Sequence, residues 1–273
     1  MNHLQQLFLA VRWRLRSSLG LKWRDESELV YRINRLPEST APNQSFQFSW
    51  GKVEFRSASD LRGQYSEIFL RRHYAVRFTS DDPVIIDAGG NIGMSAIWFK
   101  TNYPKSKLTV YEADPSLTAV LARNLASANI PGVNLQNAAV WIEDGFVSFD
   151  NLGQDKGAIR PNGGIRVASV DLASHLPERV DLLKLDVEGA EYSIIERLSR
   201  TGAIARVQNL VAEFHVQRSN ADAVFLAVKQ LREAGMQVAF TSALGSWLGP
   251  ADSAAPFEAV GKDQALMEVY AWR

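Results

Sequence analysis

The chain has 273 residues, 46% of them hydrophobic, with 30 Lys and Arg set against 30 Asp and Glu and no cysteine. That is enough apolar material for one large α/β domain with an extension, and the even charge balance argues against a general nucleic-acid binder. The lack of cysteine excludes disulfides, zinc–thiolate sites and a cysteine nucleophile, and no stretch reaches the roughly 20 apolar residues of a membrane-spanning helix.

Residues 1–24 carry Arg12, Arg14, Arg16, Lys22 and Arg24 and no acidic residue. Leu4, Leu7, Phe8, Val11 and Leu15 fall on one helical face, so the segment reads as a basic amphipathic helix. Arg12 interrupts the apolar run too early for a signal-peptide core, and no small-residue cleavage site follows. The helix either docks on protein or lies on an anionic membrane surface, which for a cytoplasmic protein is the inner face of the membrane. Residues 25–82 read as an extension wrapped onto the main domain. Phe46, Phe48 and Trp50 alternate, as do Val53 and Phe55, with Gly51-Lys52 between them as a two-residue hairpin turn. Gln64 to Tyr74 then places Tyr65, Ile68 and Phe69 at helical intervals.

From residue 83 to the end of the chain, at 273, strands and helices alternate, which implies parallel crossover units. Strands are expected near 84–87, 108–112, 133–137, 181–186, 208–214, 236–241 and 265–272, and helices near 93–101, 116–128, 190–199 and 220–234. Val84-Ile-Ile86 is the continuous apolar run of a strand buried on both faces. Asp87, Gly89, Asn91 and Gly93 follow in a tight turn. Its spacing, Asp-x-Gly-x-x-x-Gly, is not the Gly-x-Gly-x-x-Gly that brings backbone amides up to a pyrophosphate. S-adenosylmethionine has no phosphate and offers an ammonium, a carboxylate and a ribose instead. Glu112 ends the next strand nineteen residues after Gly93, the place from which a carboxylate accepts hydrogen bonds from ribose hydroxyls. Asn137, at the end of the third strand, is the candidate for reaching an adenine. Residues 151–164 hold four glycines and read as a long polar loop, either a lid or a surface insertion.

The second cluster is Asp181-Leu-Leu-Lys-Leu-Asp-Val-Glu-Gly-Ala-Glu191. Lys184 lies within a buried strand and needs a partner. Asp186 ends that strand, with Glu188 and Glu191 beyond it as candidate substrate contacts. The strand Asn209–His215 hides Glu213 and ends on His215. If the two strands are parallel neighbours in the simplest register, Asp186 lies beside His215, and a Lys184–Glu213 ion pair lies one layer deeper. Ligands of open α/β sheets bind at the carboxyl ends of the strands, so both clusters converge on one crevice.

These segments, together with Glu67-Ile-Phe ahead of the glycine loop and Glu213-Phe-His215 after it, resemble the FkbM family of S-adenosylmethionine-dependent methyltransferases. The similarity runs from about Gln64 to the C-terminus, and Lys184-Leu-Asp-Val-Glu-Gly-Ala-Glu191 is its most specific part. Gly90 stands where the family usually has Ala, a change not expected to impair binding. The resemblance implies a class I methyltransferase, Rossmann-like α/β fold, whose seven-stranded, mostly parallel sheet has its last strand antiparallel. It also implies O-methylation, commonly of sugar, glycan or polyketide hydroxyls, as in carbohydrate biosynthesis.

Methyl transfer to a hydroxyl needs in-line alignment and a proton acceptor. His215, oriented by Asp186, is the first candidate for the base, because imidazole titrates near neutrality. The alternative is a divalent cation held by Asp186, Glu213 and His215, with Glu188 nearby. An RNA hydroxyl methyltransferase would want a basic face that the composition lacks. A non-catalytic S-adenosylmethionine-binding module would not need His215 beside the carboxylates. Asp186-Val-Glu-Gly differs from the Asn/Asp-Pro-Pro-aromatic run of amino-group methyltransferases, which counts against N-methylation.

Overall fold

The computed structural model describes residues 24–39, 44–151, 157–160, 164–217, 221–242 and 264–273. The basic helix read over residues 1–24 lies outside them except for Arg24, which opens α1 (Arg24–Asn34). Among the described residues, no helix is long and apolar enough to cross a membrane.

Seven strands form the central sheet: β3 (Val84–Ala88), β4 (Lys107–Tyr111), β5 (Val133–Gln136), β10 (Leu182–Leu185), β11 (Asn209–Gln217), β12 (Gln237–Ser242) and β13 (Gln264–Trp272). Their spatial order is β12-β13-β11-β10-β3-β4-β5. Only the β13 pairings, with β11 and β12, are antiparallel; the other pairs in the sheet run parallel. The chain steps outward from β3 to β4 and β5, then returns to β10 on the other flank of β3. That reversal is a topological switch point, where a crevice opens beyond the strand ends. The turn after β3 and the end of β10 meet there.

Side chains alternate between the faces of the sheet. Ile86, Leu183, Leu185 and Phe214 pack on one face, under α6 (Glu191–Arg200) and α7 (Ala221–Glu233). Ile85, Leu182 and Val211 pack on the other, with α3 (Met94–Asn102) and α4 (Pro115–Ser127). Asp87, Lys184 and Glu213 alternate onto this second face, so it becomes charged toward the carboxyl ends of its strands. Asp114 starts α4 by accepting from the Ser116 amide at 2.8 Å, with Pro115 in the first turn.

The extension completes that second face. The hairpin β1 (Gln44–Phe48) and β2 (Gly51–Phe55) and the helix α2 (Ala58–Gln64) bury Phe46, Phe48, Val53, Phe55 and Leu61 in the same core as Trp98, Phe99 and Leu121. Phe48 pairs with Gly51, so Ser49-Trp50 makes the hairpin turn, and not Gly51-Lys52 as the sequence led one to expect. Gly51 is needed for a different reason, since a Cβ there would fall 2.6 Å from the Ser127 carbonyl oxygen of α4. Residues Tyr65–Leu70 continue α2 as a π-helix, with the Arg71 amide reaching the Ser66 carbonyl at 2.9 Å.

Between β5 and β10 lies a sheet that periodicity did not reveal. It consists of β6 (Ala139–Trp141), β7 (Gly145–Asn151), β8 (Gly157–Ile159) and β9 (Ile165–Asp171), in the order β6-β9-β7-β8. The expected loop over 151–164 is therefore partly strand, since residues 157–159 pair with β7. Residues 152–156 and 161–163 of it lie outside the described residues. The short helix α5 (Leu172–His175) leads on toward β10.

Candidate active site

The turn after β3 is fastened to the end of β4. The Gly89 and Gly90 amides both donate to the Tyr111 carbonyl, at 3.0 and 2.9 Å. Gly89 has φ +90°, and a Cβ there would lie 1.8 Å from the Asp186 carbonyl oxygen, so only glycine lets β3 and β10 close at this point. Gly90 has no spare room either: a Cβ would fall 2.3 Å from Val110 Cγ1. Asn91 adopts φ +49° and donates its amide to Glu112 Oε2 at 2.7 Å. Glu112 Oε1 accepts from the Asp114 amide at 2.8 Å. Burial pushes the Glu112 carboxyl up to about 7, even though both of these amide bonds favour the carboxylate.

A cavity of about 600 Å³, open to solvent, lies above this turn. Glu112, Asn91 and Gly89 line it on one side, and Ala113, Leu117, Ala138 and Val140 make an apolar wall. Phe149 and Ile159 of the small sheet close it, and Asp186 and Glu188 stand at its far end. Gly93 shapes the loop from outside the lining, accepting from the Ile97 amide at 3.0 Å. Asn137 does not line the cavity. Its amide group donates to the carbonyls of Glu112 and Ala113 at 2.9 and 3.2 Å, so it braces the loop instead of facing an adenine.

Asp87 is fully buried. It accepts from Ser95 Oγ at 2.6 Å and lies 3.0 Å from Lys184 Nζ. Through Ser95 and Lys184 it holds the turn from beneath. Lys184 also donates to the Gly89 carbonyl at 2.8 Å and lies 3.5 Å from Asp186. The expected Lys184–Glu213 pair is replaced because Lys184 stands opposite Val211, a register two residues away from the one assumed. Two residues further along, Asp186 comes level with Glu213, and His215 lies beyond both.

A second, smaller pocket, about 240 Å³ with its open mouth included, lies on the charged face of the sheet, lined by Asp186, Glu213, Lys184, His73, Tyr74 and Glu268 among others. Asp186 lines both cavities. Burial, reinforced by Asp186, pushes Glu213 up to about 8. Burial likewise raises Glu67 on the π-helix, with Glu268 and Asp186 adding to the effect. Sequence reasoning missed Glu67, His73, Tyr74 and Glu268 as site residues. The Glu67–Tyr74 stretch carried a signal in the resemblance, but Glu268 sits in an unremarkable edge-side strand.

His215 is held differently from what its place in the sequence implied. Nε2 lies 3.0 Å from Glu188 and 3.7 Å from Glu213, while Nδ1 lies 3.5 Å from Glu191. Burial opposes the charged ring, but Glu188 and Glu191 outweigh it and raise the imidazole to about 11. That shift favours the protonated ring, which holds the proton that a base would have to accept. Asp186, Glu213 and His215 do bring ligating atoms within 4.8 Å of one another. With both ring nitrogens facing carboxylates, they stand as an ion-pair cluster. Glu191 is fully buried and accepts from the Val187 and Gly189 amides at 2.9 and 3.0 Å, so it holds the turn after β10. Glu188, at φ +55°, lines the first cavity.

The model of the methyltransferase FkbM domain matches residues 87–238, more than half of the chain. Methyltransferase 1 of Beauveria bassiana is 29% identical over 163 residues, covering 49% of this chain and 66% of that protein. Methyltransferase sdnD of Sordaria araneosa is 28% identical over 187 residues, covering 53% and 72%. Among solved structures, the methyltransferase FkbM of Methylobacillus flagellatus aligns with a TM-score of 0.47 at 15% identity, over 75% of this chain and 47% of that one. The chain belongs to the FkbM family of methyltransferases.

Proposed function

We propose that the chain is an S-adenosylmethionine-dependent O-methyltransferase, with the cofactor in the first cavity and a hydroxyl of a sugar, glycan or related natural product in the second. The observation that carries this reading is Asp186, which lines both cavities and so marks where they meet. The residues of the first cavity fit this cofactor. Glu112 offers lone pairs to ribose hydroxyls, the Ala113, Leu117, Ala138 and Phe149 wall suits an adenine, and Asp186 and Glu188 suit an ammonium. The same carboxylates would repel a pyrophosphate. When bound, the cofactor supplies a methyl group activated on a sulfonium.

The polar lining of the second cavity suits a polyhydroxyl acceptor, since His73, Tyr74, Glu213 and Glu268 all present hydrogen-bonding groups. Asp186 orients the acceptor at the junction, and Lys184 fixes Asp186 and the Gly89 carbonyl together. His215 neutralises the carboxylates gathered behind that junction. Calorimetry tests the placement. S-adenosylmethionine should bind with micromolar affinity, and Glu112→Ala should weaken it by about 1–3 kcal/mol through loss of two hydrogen bonds. Unchanged affinity in Glu112→Ala would place the cofactor elsewhere.

A further inference from the structure

The second cavity holds a histidine–carboxylate pair to which the reading above gives no chemical part. His73 follows the π-helix, with its side chain 17% exposed, and its Nδ1 lies 2.6 Å from Glu268 Oε1. The other oxygen of Glu268 accepts from Tyr270 OH at 2.9 Å and from Thr241 Oγ1 at 3.1 Å, so the carboxylate is itself fixed from β12 and β13. Those bonds, with His73, hold Glu268 below its ordinary value against the effect of burial. A carboxylate on Nδ1 fixes the imidazole tautomer and leaves the lone pair on Nε2. Among the described residues, Nε2 of His73 makes no hydrogen bond or ion pair.

Resting on the methyl-transfer reading, we propose that His73 is the general base of the reaction, with Glu268 as its positioning partner. The contrast with His215 is geometric, since both nitrogens of His215 face carboxylates whereas His73 commits only Nδ1. The other charged groups around His73 are Glu67 from the π-helix, Lys184 and Asp186 from β10 and its end, and Glu213 from β11. Lys184 is committed to Asp87 and Asp186, and Glu213 lies 3.7 Å from His215 Nε2. Asp186 is held by Lys184 at the junction, so His73 Nε2 is the uncommitted side-chain nitrogen in the lining. In the step, the acceptor oxygen bonds to the methyl carbon, and the carbon–sulfur bond breaks with its electron pair staying on sulfur. The hydroxyl proton passes to His73 Nε2, and the imidazolium that forms is stabilised by Glu268.

Two measurements test this. Nitrogen-15 spectra of histidine-labelled protein at pH 7, saturated with S-adenosylhomocysteine, should show His73 protonated at Nδ1 and bare at Nε2, the signals assigned by their loss in His73→Gln. A doubly protonated ring, or a proton on Nε2 alone, would overturn the proposal whatever the acceptor is. In parallel, transfer of labelled methyl from S-adenosylmethionine to a panel of free monosaccharides and amino sugars should fall about 100-fold or more in His73→Ala. Added imidazole should restore part of that loss, and cofactor affinity should stay within about twofold of the unaltered protein. A His73→Ala protein that keeps full turnover also overturns it. Failure of the unaltered protein to bind S-adenosylhomocysteine would instead remove the underlying reading, and the proposal with it.

Discussion

Lys184 shows how a charge survives inside a strand covered on both faces. Its ammonium meets Asp87, which is just as deeply buried, and two backbone carbonyls complete its shell. Lys184→Met should therefore cost about 3–5 kcal/mol in urea denaturation, because it strands a buried carboxylate. Adding Asp87→Asn should recover part of that loss, whereas adding Glu213→Leu should recover little. That Lys184 needed a partner was legible in the sequence. Which partner was not, because β10 is flanked by β3 as well as β11, and its register with β11 is slipped by two residues from the simplest one. The surroundings of His215 were hidden for a similar reason: nothing in the sequence shows Glu188, Glu191 and Glu213 folding around both of its nitrogens. Glu213 gives a pH signature. Its folded value, about 8, lies above its ordinary 4.5, so its contribution to stability is complete below that lower value and is lost as pH rises through about 8. The melting temperature of the ligand-free protein should fall over that window, and Glu213→Gln should flatten the fall.

At the scale of elements, the two glycines after β3 are close-packing residues first. Gly89→Ala should prevent the turn from closing, since its Cβ would strike the Asp186 backbone at a left-handed φ. Gly90→Ala should fold but lose about 1–3 kcal/mol, measured as a lower urea midpoint, because Val110 and Leu121 must give way. Unchanged stability in Gly90→Ala would mean the β4–α4 packing is looser than described. The central strands were legible because each is a short apolar run bounded by turn residues. The small sheet was not. Its strands β6 and β8 have three residues each, and β7 carries an apolar residue, Phe146, on its exposed face beside the inward Val147 and Phe149, which hides the apolar–polar alternation in the sequence. The π-helix was legible only as a helix, since its apolar spacing resembles that of an α-helix.

At the scale of the whole molecule, the boundary read at residue 83 separates sequence patterns more than structure. Phe48, Val53, Phe55, Leu61 and Tyr65 share one core with α3, α4 and the sheet, and the π-helix carries Glu67 and leads to His73 at the second cavity. Residues 83–273 alone should therefore bind hydrophobic dye and melt without a cooperative transition, while residues 24–273 should melt cooperatively. A sharp transition in the shorter chain would make the extension an accessory. In the proposed function the two cavities meet at Asp186, and the first receives the cofactor. The most direct measurement is a crystal structure with S-adenosylhomocysteine. Adenine should lie against Ala113, Leu117 and Phe149, with the ribose hydroxyls on Glu112 and the sulfur beside Asp186 facing the second cavity. A ligand lodged elsewhere, or one whose sulfur points away from Asp186, would contradict that placement.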